Sequence, residues 1–266
     1  MEKKSQVHEM YKKLDEYYRN SDYKNAKVFL ERTLNRAKAC KDLELIIASG
    51  NEVAGMYRVE ADITKALETY ELVLQSLEKL YMTGTAEYAI ALMNTANSYG
   101  AANRWDTALK LYKESLELLE VNDFEDQYTL AAVKNGLSRA YAMNGFLKEA
   151  ESSAFDALIN ISRLLPESYS EMATTYSNIA EIRLQQGLTD DAEVYFRKAI
   201  DIFLEKLQER DIHYANACYG LGKTLLMKGD RENARKYYRK AMDLIERDFG
   251  KNDNYSLIEQ ELANIT

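Results

Sequence analysis

The 266-residue sequence contains very little proline, cysteine or histidine, and each shortage argues against a class of protein. Its single proline is Pro166, and no stretch is rich in glycine and serine, although strands and sharp loops usually need such residues at their ends. The two cysteines, Cys40 and Cys218, are too few for a disulfide framework or a zinc site. With only His8 and His213, metal binding and histidine-dependent catalysis have little support.

The charge and hydrophobicity of the chain exclude further partners. Lys and Arg number 35 against 43 Asp and Glu, and the net charge of −8 disfavours nucleic acid as a ligand. No apolar run is long enough to span a membrane, and the polar start predicts no signal peptide. Hydrophobic residues make up 46% of the chain and charged residues 29%, which is typical of a folded protein. Because no targeting or membrane-spanning segment is recognised, we expect it to be soluble and cytoplasmic.

A repeat of about 42 residues runs through the sequence. Small residues followed by an apolar face recur at intervals of 40 and then 42 residues, at Ala26, Ala66, Ala108, Ala150, Ala192 and Ala234. A second small residue lies twelve positions earlier in most units, at Ala54, Ala96, Ser138, Ala180 and Gly222. Between the two stand residues that tolerate a left-handed backbone, at Asn103, Gly145, Gly187 and Gly229. Each unit therefore predicts two antiparallel helices, here called A and B.

This pattern resembles the tetratricopeptide repeat, most closely in residues 87–99 and 213–222. The 42-residue period is similar to the subclass found in kinesin light chains and in bacterial peptide receptors of the Rap/PlcR type. The resemblance implies an all-α, right-handed α-solenoid of about six helix-turn-helix units, with the A helices lining a concave groove. A final segment without a B partner predicts a C-terminal capping helix.

The repeat also predicts the domain organisation, which is a single solenoid over residues 1–266. Helix starts inside it are indicated by signals such as the capping box of Ser168 and Glu171. The expected units and cap, in chain order, are 7–46, 47–88, 89–130, 131–172, 173–214, 215–254 and 255–266.

One stretch imitates a phosphate-binding loop, since residues 217–224 end in Gly222, Lys223 and Thr224. A functional loop of this kind follows a strand and opens a helix, whereas this stretch lies inside a predicted A helix. Gly222 also occupies a packing position of the repeat. We therefore expect no nucleotide, no other cofactor and no metal here, and we expect the chain not to be an enzyme.

Asparagines mark the predicted groove. They recur in four successive A helices with spacings of 43, 41 and 43 residues, at Asn51, Asn94, Asn135 and Asn178. An amide offers both donors and an acceptor, so a row of amides can hold the backbone of an extended peptide. The resembling peptide receptors use groove asparagines in this way. The alternative is that these amides bond to neighbouring helices or simply face water.

Further polar and aromatic residues register to the same face. Four side chains lie one turn beyond the asparagines, at Asn97, Arg139, Glu181 and Lys223. Their mixed charges indicate either a ligand that carries both signs or pairing between adjacent units. Three tyrosines fall outside the packing positions and are candidate binding anchors, at Tyr11, Tyr18 and Tyr219.

The resemblance implies a scaffold that holds a protein or peptide segment in the groove, with the asparagines contacting the ligand backbone. Arg139, Glu181, Lys223 and Tyr219 would then set the side-chain preference. The alternative is a structural, self-assembling subunit that acts through its outer or terminal faces, and the sequence leaves the oligomeric state open.

Overall fold

The computed structural model describes residues 2–164, 168–207 and 213–265, and Pro166 lies outside them. Within these residues every regular element is an α-helix, as expected from apolar residues that recur at helical spacing. The thirteen described helices are α1 (Glu2–Arg19), α2 (Tyr23–Cys40), α3 (Leu43–Val59), α4 (Ile63–Lys79), α5 (Ala86–Ala101), α6 (Trp105–Val121), α7 (Gln127–Met143), α8 (Leu147–Ser162), α9 (Tyr169–Gln185), α10 (Thr189–Glu205), α11 (Tyr214–Met227), α12 (Arg231–Phe249) and α13 (Asp253–Ala263).

The odd-numbered helices α1 to α11 are the A helices, and each is followed by its B partner. The prediction of six helix-turn-helix units and a final helix without a partner is therefore confirmed. The turn residues behave as predicted, because Gly145, Gly187 and Gly229 have φ angles of 80°, 79° and 85°, and Asn103 has 57°. Ala61 adopts the same left-handed conformation at a φ of 62°, which costs energy for a residue with a Cβ.

Small residues bring each A helix close to its B partner. The six repeated alanines of the B helices are all fully buried, as are Ala54, Ala96, Ser138 and Ala180 of the A helices. At Gly222, an added Cβ would lie 2.6 Å from Cδ1 of Tyr238, so only glycine fits without a shift of this buried ring. These contacts confirm the packing role that the repeat predicts for the small residues.

By their contacts the helices fall into two compact units, residues 1–125 and 126–266, and each is described by itself. Unit 1 holds α1 to α6, with a core cluster around Leu14, Leu30 and Val53 and a smaller one around Val73 and Leu77. Unit 2 holds α7 to α13, with its largest cluster around Phe196, Leu221 and Tyr238. The single continuous solenoid stays a prediction.

The helices begin earlier than the expected unit boundaries. The boundaries at 47, 89, 131 and 173 follow the repeat period, yet each falls within about the first turn of an A helix. The prediction of a capping box at Ser168 and Glu171 is wrong. The Ser168 side chain caps no backbone N–H of α9, and its Oγ donates to the Ile161 carbonyl at 3.2 Å instead.

Candidate functional site

The nine predicted site residues all lie on A helices. They occupy α3 (Asn51), α5 (Asn94 and Asn97), α7 (Asn135 and Arg139), α9 (Asn178 and Glu181) and α11 (Tyr219 and Lys223). None of them is buried: the Arg139, Glu181 and Lys223 side chains are exposed, and the other six are half-buried. We call the surface that these residues occupy the A-helix face of unit 1 or of unit 2.

In unit 2, hydrogen bonds between helices hold the asparagines. Asn135 Nδ2 donates to Thr175 Oγ1 at 2.8 Å, and Asn178 Nδ2 lies 3.5 Å from Asn135 Oδ1. Thr175 is fully buried, and its hydroxyl donates in turn to the Glu171 carbonyl at 2.7 Å. Asn135 therefore joins α7 to α9, whereas Asn178 makes a single contact at the outer limit of hydrogen-bond length.

A charged row crosses the A-helix face of unit 2. Solvent reaches the Glu181 side chain, yet the protein around it raises the pKa of its carboxyl above the ordinary value. The positive charges of Lys223 and Arg139 act on Glu181 in the opposite direction and favour its ionised form. The three side chains predicted to share one register thus influence one another electrostatically.

Tyr219 contacts the terminal helix. Its hydroxyl donates to Glu261 Oε1 at 2.9 Å, and the buried Tyr238 donates to Glu261 Oε2 at 3.0 Å. The two rings stack with their centroids 5.6 Å apart. Burial and the Glu261 carboxylate both raise the pKa values of these tyrosines, so both hydroxyls stay protonated and fasten α13 to α11 and α12.

A cleft in unit 2 adjoins this contact. It has a volume of about 390 Å³ and is lined by Lys223, Leu226, Met227, Arg231, Tyr238, Glu261, Asn264 and Ile265. Lys223 therefore borders both the charged row and the cleft. Glu261 is not among the residues that the sequence predicted, although it follows Tyr219 by the repeat length of 42 residues.

Unit 1 offers amides with fewer partners. Asn97 Oδ1 accepts a hydrogen bond from the Tyr112 hydroxyl at 2.6 Å. Asn51 Oδ1 is buried, and no group of the described residues donates a hydrogen bond to it. In the next A helix, the position that corresponds to Thr175 is occupied by Ala91. Within the described residues, the side chain of Asn94 has no hydrogen-bond partner. The asparagines of the row therefore differ in their hydrogen-bond partners.

Tyr11 and Tyr18, the two predicted tyrosines of unit 1, are influenced by the carboxylate of Glu52, which was not predicted as a site residue. Tyr11 is 39% exposed, and Tyr18 is half-buried two turns further along α1. Burial raises the pKa of both hydroxyls, and the negative charge of Glu52 on α3 raises it further. Glu52 precedes Asn94 by 42 residues, and this register is the signal that could have identified it.

The residues 217–224 form no phosphate-binding loop. Gly220, Gly222 and Thr224 all lie inside α11, where the Thr224 hydroxyl donates to the Gly220 carbonyl at 2.8 Å. The backbone N–H groups of this stretch are thus within a helix, as the sequence predicted. Across the described ranges, no cluster of His, Cys, Asp and Glu has the composition of a metal site. Nor does any helix in the described part of the chain have the length and apolar character needed to cross a membrane.

The fold and these faces define a helix-pair repeat protein, and comparison with known proteins identifies the repeat. The family model described as tetratricopeptide repeat matches residues 43–120 and 171–247, which is more than half of the chain. The chain belongs to the tetratricopeptide repeat family. No curated protein matches the sequence.

Solved structures share this fold at low sequence identity. BtubC (BKLC) from P. vanneervenii matches with a TM-score of 0.65 and 21% identity, over 86% of this chain and 92% of that one. A putative kinesin light chain from Podospora anserina with nearly identical TPR-like repeats gives 0.59 and 16%, over 75% and 94%. PilF from Pseudomonas aeruginosa gives 0.53 and 16%, over 84% and 86%.

These matches confirm the tetratricopeptide fold and its likeness to kinesin light chain repeats. Tetratricopeptide repeats generally serve as protein-interaction scaffolds, and their fold is typically non-catalytic. At this level of identity the structural matches establish the fold alone.

Proposed function

We propose that the chain is a binding scaffold that holds an extended peptide or protein segment against its A-helix faces. The observation that carries the proposal is the half-buried Asn94 amide, whose side chain has no hydrogen-bond partner in the described residues. Neither amide atom of Asn94 is buried, so both remain accessible to a ligand, and a peptide backbone supplies the acceptor and the donor that this amide can pair with.

The individual residues support different roles in this proposal. Asn94 and Asn178 share a register and would contact the ligand backbone, whereas Asn135 is engaged with Thr175 and would hold the face in shape. Asn51 and Asn97 would support the same face in unit 1. In unit 2 the exposed side chains of the charged row would select ligand side chains of opposite sign.

Selection from a displayed library of random peptides tests this function. Wild-type protein is expected to enrich peptides, and an Asn94→Ala, Asn178→Ala double variant is expected to bind them at least about tenfold more weakly, because several backbone hydrogen bonds are lost. Asn216→Ala is a matched control, since Asn216 is exposed on α11 outside the proposed contacts. The proposal is overturned if the double variant binds the enriched peptides as tightly as the control does.

A second candidate is self-assembly through an outer edge, and one observation favours it. Four large apolar side chains of unit 2 stand exposed near the A–B turns, at Met143, Phe146, Leu188 and Met227. Exposed apolar groups that cluster mark association surfaces. Sedimentation velocity over a range of concentrations tests this candidate, and a constant monomer mass would exclude it.

A further inference from the structure

Glu52 is a half-buried carboxylate on the A-helix face of unit 1. Burial raises its pKa, and no cation among the described residues opposes this shift. Its counterpart in unit 2 is different, because Lys223 and Arg139 both act on Glu181. Across the described residues, Glu52 has neither an ion pair nor a hydrogen bond. A carboxylate that is partly removed from water gains most from a cation when none is already present.

The surroundings of Glu52 are aromatic. Helix α1 packs against α3 and places Tyr11 and Tyr18 near the carboxylate, and the buried Tyr70 of α4 also senses its charge. The residue at the same register in the next A helix is Asn94, which is neutral. Arg58, on the same helix as Glu52, acts on the Tyr70 hydroxyl. The side chains on which the Glu52 charge acts are therefore tyrosines.

Tyrosine rings attract cations through their negative faces, and the attraction grows where water is partly excluded. Several tyrosines of the protein already hold internal cations, such as Tyr17 under Lys13 at 5.3 Å and Tyr57 under Lys27 at 5.0 Å. In the described part of unit 1 no cation lies over Tyr11 or Tyr18. Tyr11 is 39% exposed, and Tyr18 is half-buried with its ring centroid 6.0 Å from that of Tyr23, so both rings remain partly accessible to a cation from outside.

From this arrangement we propose that Glu52, Tyr11 and Tyr18 form a subsite that binds a lysine or arginine side chain of the ligand. The carboxylate would pair with the charge, and the rings would cover the side-chain stem and the cationic head. The inference rests on the proposed peptide-binding function and specifies which side chain unit 1 prefers. The net charge of −8 would add a long-range attraction for a basic segment.

The test uses short blocked peptides, so it does not depend on a selected ligand. Protein with ¹³C-labelled tyrosine is titrated with acetyl-Gly-Lys-Gly-amide, acetyl-Gly-Arg-Gly-amide and acetyl-Gly-Gln-Gly-amide. Tyr11→Phe and Tyr18→Phe variants assign the two ring signals. We expect both signals to shift with the lysine or arginine peptide, and the glutamine peptide to have no effect.

The matched pair for this titration is Glu52→Gln and Glu68→Gln. Both remove one negative charge from unit 1, but Glu68 is exposed on the B helix α4. The first variant is expected to lose at least about tenfold in affinity for the cationic peptides, and the second to retain wild-type affinity. Circular dichroism serves as the control that both variants are folded.

Three results of the titration overturn the subsite: shifts of equal size with the glutamine peptide, no shift with either cationic peptide, or unchanged affinity in Glu52→Gln. Failure of the proposed function is recognised separately, because there the random library enriches no peptide at all. Enrichment of peptides without a preference for lysine or arginine would support the peptide-binding function and contradict the cation-binding subsite.

Discussion

The contact between α10 and α11 leaves no room for a side chain at Gly220. A Cβ added at Gly220 would lie 2.3 Å from Cζ and 2.4 Å from Cε1 of Phe196. Phe196 is fully buried, so its ring cannot swing into solvent. Relieving the clash requires a shift of roughly 1 Å in a close-packed interior, and overpacking of this kind costs about 3 kcal/mol at the upper end of its usual range.

Alanine also has an advantage over glycine inside a helix, which offsets about 1 kcal/mol of that cost. We therefore expect Gly220→Ala to lower the free energy of unfolding by about 2 kcal/mol. For a chain of this size the melting temperature would fall by about 4 to 8 °C.

Thermal and urea unfolding followed by circular dichroism measure the change. Gly84→Ala is the matched control, because a Cβ there would meet no atom within 4 Å. The control is expected to be neutral or slightly stabilising. If Gly220→Ala melts at the wild-type temperature or above it, the close approach of α11 to Phe196 is refuted.

Three further predictions concern a turn, a helix cap and the terminal helix. Ala61→Gly should raise the free energy of unfolding by about 0.5–1 kcal/mol, since glycine relieves the left-handed backbone at this position; urea unfolding measures it, and a loss of stability would contradict it. The side chain and backbone of Thr129 donate hydrogen bonds to Asp126 and lower the pKa of the Asp126 carboxyl below the ordinary 3.8. The ionised Asp126 therefore stabilises the fold fully above about pH 4, and this stabilisation is lost as the pH falls through the lowered pKa. Asp126→Asn should therefore flatten the acid side of the stability curve, and an unchanged slope would contradict this. Tyr219→Phe removes a donor to Glu261 and should speed amide hydrogen exchange in α13 about fivefold, as expected for one lost hydrogen bond of about 1 kcal/mol; unchanged exchange would show that the bond does not fasten the helix.

Local chemistry explains why so much of the helix arrangement could be predicted. Gly145, Gly187 and Gly229 end A helices because glycine tolerates a positive φ angle, a property of the residue itself. The position of Ala61 was harder to recognise, because alanine disfavours the conformation that it adopts there. Unit boundaries were displaced since a period defines spacing and not the residue at which a helix starts.

The candidate site, like the helix arrangement, could be predicted from the sequence only in part. The 42-residue register placed Asn94, Asn178 and Lys223 on A helices with accessible side chains, which follows from helical periodicity alone. Which amide has partners depended on a residue some 40 positions away: Asn135 meets Thr175, whereas Asn51 has Ala91 at the corresponding position. Nothing in a local pattern shows that difference, because a hydrogen bond between helices requires both ends.

The sequence by itself determined that the chain forms paired helices of the tetratricopeptide type and which face of each A helix carries polar groups. These properties follow from the spacing of small and apolar residues within each repeat. Only the tertiary structure decided that the Tyr219 hydroxyl is engaged by Glu261, and that Glu52 lies among tyrosines with no cation beside it in the described residues. Both depend on which side chains neighbouring helices bring together, and that is decided by packing across the repeats.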